Sequence, residues 1–249
     1  MDKATSMLDF LSEVLGATLD LLPRIVFDKS DERQRTLIAL YATIIEQADS
    51  AVALRRDNRW TGVNHILRSS MEAYTDLINL ANDGAYINQL NAKYHSEWIK
   101  LISEGVKGDN IFLAFFKNNA QADEQLAYHK AELTAIEGHT KVINVFDRFQ
   151  KAGLDREYRS MYNSLCNDTH NNIRALTDRH FRVDKDGLQE LVIFEDIDIT
   201  SVASSLDAFM AILNGSNKII HHYFNTDAQA EVETFHARRV AKGLFWENE

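Results

Sequence analysis

YRSMYNSLCNDTHNNIRAL, residues Tyr158 to Leu176, carries a helical period against which the rest of the chain can be aligned. At about 3.6 residues per turn, Tyr158, Met161, Tyr162, Leu165, Cys166, Thr169, Ile173 and Leu176 fall on one side, the spacing of a core-facing stripe. Asn163, Asn167, His170 and Arg174 lie on the flank at spacings of 4, 3 and 4, so one continuous helix makes them a single ridge. Gly153 stops the preceding segment and Asp155 can cap this one.

Upstream, Thr5 to Leu22 spaces Leu8, Leu11, Leu15, Leu19 and Leu22 by 3 and 4, an amphipathic helix ended by Pro23. Acidic and hydroxyl residues at 28–31 suit the start of a second helix, reaching Arg56 with Leu37, Tyr41, Ile44, Ile45 and Val52 on its buried stripe. A third helix, 62–80, sets Ile66, Leu67, Ala73, Tyr74 and Leu77 nearly opposite His65, Arg68, Glu72, Asp76 and Asn79. Its polar stripe is expected to be a solvated face, with Arg68 and Glu72 as a surface pair worth about 0.3–0.5 kcal/mol. A functional role there needs a second element, or a second subunit, to cover it.

Gly84 to Glu104 carries a further helical pattern, followed by the aromatic cluster Phe112, Phe115 and Phe116, expected as core or dimer interface. Helix is again expected over 120–152 with a break near Gly138. After His180 the pattern changes, and Asp186-Gly187 between short β-rich runs predicts a small β-hairpin near 181–195. Val202 to Ile220 and 227–242 read as two more helices, with Leu244, Phe245 and Trp246 as an anchor. The fold class is therefore all-α, a single multi-helix bundle of about seven or eight helices with a hairpin insertion. Residues 30–225 form its core, with an N-terminal helix at 5–22 and a C-terminal helix and tail at 227–249 packed on it.

Proline occurs only at Pro23 and glycines are scattered, so no linker divides the 249 residues and one domain is expected. Hydrophobic residues at 45% with 26% charged suit a folded chain and exclude dominant disorder. The lone Cys166 cannot form an internal disulfide. Asp9, Glu13 and Asp20 interrupt the apolar N-terminus, and no run approaches the roughly 20 apolar residues of a membrane span. A cytoplasmic protein without a membrane partner is expected. Net charge of −10 argues against a general nucleic-acid coat, yet from Lys141 to Arg182 eight basic residues stand against five acidic ones. That local polarity permits a phosphate site.

Arg68-Ser-Ser-Met-Glu72 and Tyr162-Asn-Ser-Leu165-Cys166-Asn-Asp-Thr-His170 resemble the two signature segments of an uncharacterised bacterial domain-of-unknown-function family, an Arg-x3-Glu helix followed by a Tyr-x2-Leu-(Ser/Cys)-x3-His helix. The similarity of order covers roughly 37–224. That family resembles the HEPN (higher eukaryotes and prokaryotes nucleotide-binding) domains, many of which are ribonucleases of toxin and phage-defence systems. HEPN ribonucleases carry Arg-x4 to x6-His, normally with a polar residue after the arginine. Arg174-Ala-Leu-Thr-Asp-Arg-His180 has the spacing, and Ala175 departs from the pattern.

The resemblance implies a HEPN-like protein of bacterial defence or stress response, with metal-independent RNA cleavage as its activity. His170 or His180 then moves the 2′-hydroxyl proton, Arg174 neutralises the phosphorane-like transition state, and Asn167 and Asn171 orient phosphate or base. The alternative uses Arg68, Glu72 and His170 as a polar network fixing helix register, with Tyr162 as a further binding candidate, in a non-catalytic module that forms homodimers or docks a protein partner. No metal or other cofactor is expected: Glu233-Thr-Phe-His236 is one Glu-x2-His match where di-metal bundles use two. Cys166 and His170 have the spacing of a nucleophile pair, yet no orienting acid is identifiable, and a small buried cysteine is the plainer reading.

Overall fold

A computed structural model describes residues 3–170, 172–193 and 199–245. Its helices are α1 (Lys3–Leu21), α2 (Glu32–Arg56), α3 (Thr61–Asn82), α4 (Ile87–Lys107), α5 (Ala120–Glu137), α6 (Val145–Lys151), α7 (Asp155–Glu157), α8 (Asn163–Thr169), α9 (Ile173–His180), α10 (Ile199–Tyr223) and α11 (Gln229–Ala241). A π-helical turn, Tyr158–Tyr162, joins α7 to α8. The hairpin β1 (Phe181–Val183) and β2 (Gln189–Leu191) pairs antiparallel with Phe181 opposite Leu191. The all-α class with a small β insertion is thus the observed one. More helices are delimited than the periodicity suggests: the 120–152 pattern is divided after Glu137, near the break expected at Gly138, and the pattern from Asp155 is divided by the π turn and again between α8 and α9.

The described residues pack as two compact units, one drawn from 1–81 and 149–249, the other from 82–148. In the first, α1, α2 and α10 pack against one another. Leu11, Leu37, Ile44, Phe209 and Leu213 fill the space between them, as their 3.6-residue spacing requires. A buried polar chain crosses this core: Tyr41 Oη donates to Asn217 Oδ1 (2.7 Å), and Asn217 Nδ2 donates to Thr18 Oγ1 (2.8 Å). Asp31 starts α2 by accepting from the Gln34 backbone N–H at 3.0 Å. An 18-residue stretch of α2 has mean hydropathy 1.4, and this helix contributes Tyr41, Ile44, Ile45 and Ala48 to the interior.

α3 is held to α2 by Gln47, which donates to Ser69 Oγ (2.8 Å) and accepts from Ser70 Oγ (2.6 Å). The Arg33 guanidinium donates to the carbonyls of Leu80 and Ala81 at its far end. α11 joins α1 through ion pairs from Arg238 and Lys242 to Glu13. Leu244 is buried and accepts from Arg239 Nε, whose guanidinium also covers the Phe245 ring. Trp246, expected to share this anchor, lies outside the described residues, as do positions 194 and 195 of the expected hairpin.

In the second unit α4 packs against α5. Ile102, Phe116 and Ala122 form its core with Trp98, Val106, Leu113 and Leu126 around them. Phe116 lies against Gly105, where a Cβ would come within 2.6 Å of its ring. Only this member of the aromatic cluster is core; Phe112 and Phe115 are exposed. His95 and His129 bring their Nδ1 atoms to 2.8 Å, with Trp98 stacked on the His129 ring.

Candidate functional site

The π turn places the central tyrosine. Five residues of widened helix bring Tyr158 and Tyr162 into a stack, ring centroids 5.1 Å apart, and set Phe149 4.7 Å from Tyr162. Such turns are frequent at functional sites. Here it leaves Tyr162 buried, with its hydroxyl facing α3.

On α3, Asn64, Arg68 and Glu72 recur every four residues and share one face. Arg68 Nη2 donates to Tyr162 Oη at 3.0 Å, and the same hydroxyl donates to Glu72 Oε1 at 2.8 Å. Arg68 Nη2 also meets Glu72 Oε1 directly at 3.1 Å, while Arg68 Nε donates to Cys166 Sγ at 3.3 Å. One turn earlier on α3, Asn64 Nδ2 donates to Asp168 Oδ2 at 2.9 Å and Ser205 Oγ reaches Asn64 Oδ1 at 3.3 Å. Residues 64, 68 and 72 thus meet 168, 166 and 162 in turn, so the two helices run antiparallel through this ladder.

These contacts correct the expected solvated face of α3. The Arg68 and Glu72 side chains are only 26% and 21% exposed, and Asp76 and Asn79 on the same stripe are buried. The second helix covers Arg68 and Glu72 with groups that can receive their charges. Burial opposes the Arg68 charge, but the Cys166 thiol, Glu72 and Tyr162 outweigh it and raise the guanidinium pKa. Burial, reinforced by Glu72, drives the Tyr162 phenol far upward, so it stays a neutral donor.

The other sequence candidates fall elsewhere. Helix α8 ends at Thr169, with the His170 N–H bonded to the Cys166 carbonyl at 2.9 Å, and the His170 side chain is exposed. Among the described residues no hydrogen bond or ion pair joins His170 to Arg68 or Glu72. Asn167 is exposed, and Asn171 lies outside the described residues. Asn172 starts a separate helix by accepting from the Arg174 backbone N–H at 3.0 Å. The expected ridge from Asn163 to Arg174 is therefore broken, and the expected apolar stripe ends with it: Ile173 is 81% exposed.

Arg174 is 89% exposed, and among the described residues its ion pair is with Asp178, at 3.7 Å. At the far end of α9, His180 Nδ1 lies 3.3 Å from the Val192 carbonyl; because a carbonyl only accepts, the proton sits on Nδ1. Sequence reasoning missed Cys166 as an acceptor for Arg68 and missed the Asn64–Asp168 contact. The four-residue spacings of 64, 68, 72 and of 162, 166 were the available signals. Among the described residues no group of three or more His, Cys, Asp or Glu side chains could hold a metal ion.

A family model described as a family of unknown function, DUF5677, matches residues 34–188, well over half the chain. The chain belongs to the DUF5677 family. The match takes in α2 from residue 34 onward, α3 and α8, and therefore both halves of the Arg68–Tyr162 ladder, whereas α1, α10 and α11 lie outside it. No curated protein and no solved structure matches the chain.

Proposed function

We propose that the protein is a HEPN-like helical module of bacterial defence or stress response, acting in the cytoplasm by homodimerisation or by docking a protein partner. The Arg68–Glu72–Tyr162 cluster then serves as the lock that sets α3 against the helix from Asp155 to Thr169. The observation that carries this reading is the closure of the cluster: the guanidinium already meets a carboxylate, a phenol and a thiol. A charge so engaged is a costly one to divert to a phosphate. The exposed Phe112 and Phe115 supply apolar surface for an interface.

A second reading, metal-independent RNA cleavage, is favoured by the accessibility of His170 and Arg174. In it the 2′-hydroxyl loses its proton to His170 or His180 and attacks phosphorus. The 5′-oxygen leaves with a proton, and Arg174 balances the charge on the phosphoryl oxygens. One experiment separates the two: purified protein is incubated in EDTA with structured and single-stranded RNAs, beside Arg174→Ala and His170→Ala, while its mass is measured by light scattering. A dimer that leaves RNA intact supports the docking module. Cleavage to 2′,3′-cyclic phosphate ends that both substitutions abolish selects the nuclease, and a monomer inert toward RNA leaves only the partner-docking form.

A further inference from the structure

A cavity of about 340 Å³ opens beside the π turn, inside the first unit, within the range of roughly 300–1,000 Å³ common for small-molecule sites. Met71, Phe149, Met161 and Ile212 give it apolar walls, and three polar side chains reach it: Tyr74, Glu157 and Asp207. Asp207 is already spoken for by the Arg239 guanidinium. Glu157 is exposed and meets no cation among the described residues. Tyr74, largely buried on α3 with its hydroxyl against Gly215 of α10, has no hydrogen-bond partner among the described residues either. An apolar chamber with an unpaired carboxylate and an unpaired phenol is complementary to a ligand that is apolar over most of its length and donates hydrogen bonds from a positive end.

We propose that this cavity binds a small organic ammonium, its cationic head donating to Glu157 and Tyr74 and its apolar body lying among Met71, Phe149, Met161 and Ile212. Anionic ligands are disfavoured by both carboxylates, and a neutral alcohol forgoes the charge at Glu157. The site is independent of the docking and nuclease readings, because none of its lining residues takes part in them. It adjoins the lock: Met161 precedes Tyr162 in the π turn, and Phe149 touches both the cavity and the Tyr162 ring.

The test uses the full chain and three probes of one shape: 4-phenylbutylammonium, 4-phenylbutanol and 4-phenylbutanoate. Affinities come from calorimetry, and the location from methionine methyl NMR with Met161→Leu as the assignment control. The ammonium is expected to bind about two- to fivefold more tightly than the alcohol, as an ion pair at an exposed carboxylate implies, and the carboxylate more weakly than either. Met71 and Met161 methyl signals should shift. Glu157→Gln, at an exposed position, should remove the preference for the ammonium and leave alcohol binding unchanged. Ala211→Phe at the exposed rim should weaken both. Equal affinities for ammonium and alcohol, a preference that survives Glu157→Gln, shifts at other methionines, or no saturation at millimolar probe would each overturn the proposal.

Discussion

Tyr162→Phe removes one oxygen and tests the lock directly. That hydroxyl accepts from Arg68 at 3.0 Å and donates to Glu72 at 2.8 Å. A hydrogen bond to a charged group contributes about 1.5–3 kcal/mol, so two set an upper bound near 3–6 kcal/mol. Two features reduce it. Arg68 and Glu72 remain in direct contact at 3.1 Å, and at 26% and 21% exposure both can recover some hydration. We expect a net loss of about 1.5–3 kcal/mol, or roughly 4–10 °C in Tm for a chain of this size. The ring itself stays, so its packing on Phe149 and Tyr158 is retained and no cavity forms. Urea unfolding of a Trp98→Phe, Trp246→Phe background leaves Trp60, buried in the first unit, as the reporter. Glu72→Ala should cost a similar amount by leaving Arg68 without its carboxylate. In the double mutant the two effects should be less than additive by about 1 kcal/mol. If Tyr162→Phe falls within about 0.5 kcal/mol of the parent, as a surface substitution would, the cluster is not a structural lock.

Three further outcomes follow from the packing. Gly105→Ala should lower the melting temperature of the second unit, followed by Trp98 fluorescence, because its methyl would press on Phe116; overpacking typically costs about 1–3 kcal/mol. Burial, and then His95, lower the His129 pKa below the ordinary 6.5, so below that pH the unfolded chain binds more protons than the folded one. Stability of the second unit should therefore decline as pH falls from 7 towards 5, and His129→Gln should flatten that slope in pH-dependent urea melts. Asn217→Ala should destabilise the first unit by about 2–3 kcal/mol, since Tyr41 Oη and Thr18 Oγ1 both lose a buried partner; an unchanged denaturation midpoint would show that water replaces the amide.

The individual helices were legible because their apolar residues recur with the helical period, as in α1 and α2. The environment of α3 was not. A polar stripe opposite an apolar one ordinarily means solvent, and Arg68 with Glu72 fitted that pattern. What meets Asn64, Arg68 and Glu72 is a helix 90 residues later whose contribution is itself polar: a phenol, a thiol and the Asp168 carboxylate. No single-helix pattern reports such a partner. The separation of α8 from α9 left a usable trace, since Asn172 before Ile173 is a strong helix-start residue. Without glycine or proline there, the continuing apolar period through Ile173 and Leu176 outweighed it. The π turn left no trace: Tyr158 to Tyr162 is ordinary helix-compatible sequence, and its widened geometry is settled by packing.

That turn bears on which face of the chain can act. Widening the helix before Tyr162 rotates everything after it relative to a plain α-helical reading. Tyr162 and Cys166 point at α3, while Asn167 is left exposed. Any chemistry at His170 would therefore depend on the turn for its placement, without His170 touching Arg68. A substitution that irons out the turn should alter the Tyr162 contacts and the position of His170 together. Removing the Tyr162 hydroxyl alone acts on the first and spares the helix path. Comparing stability with RNA cleavage or with dimerisation across those two kinds of variant thus separates a lock that only holds the fold from one that also positions a functional edge.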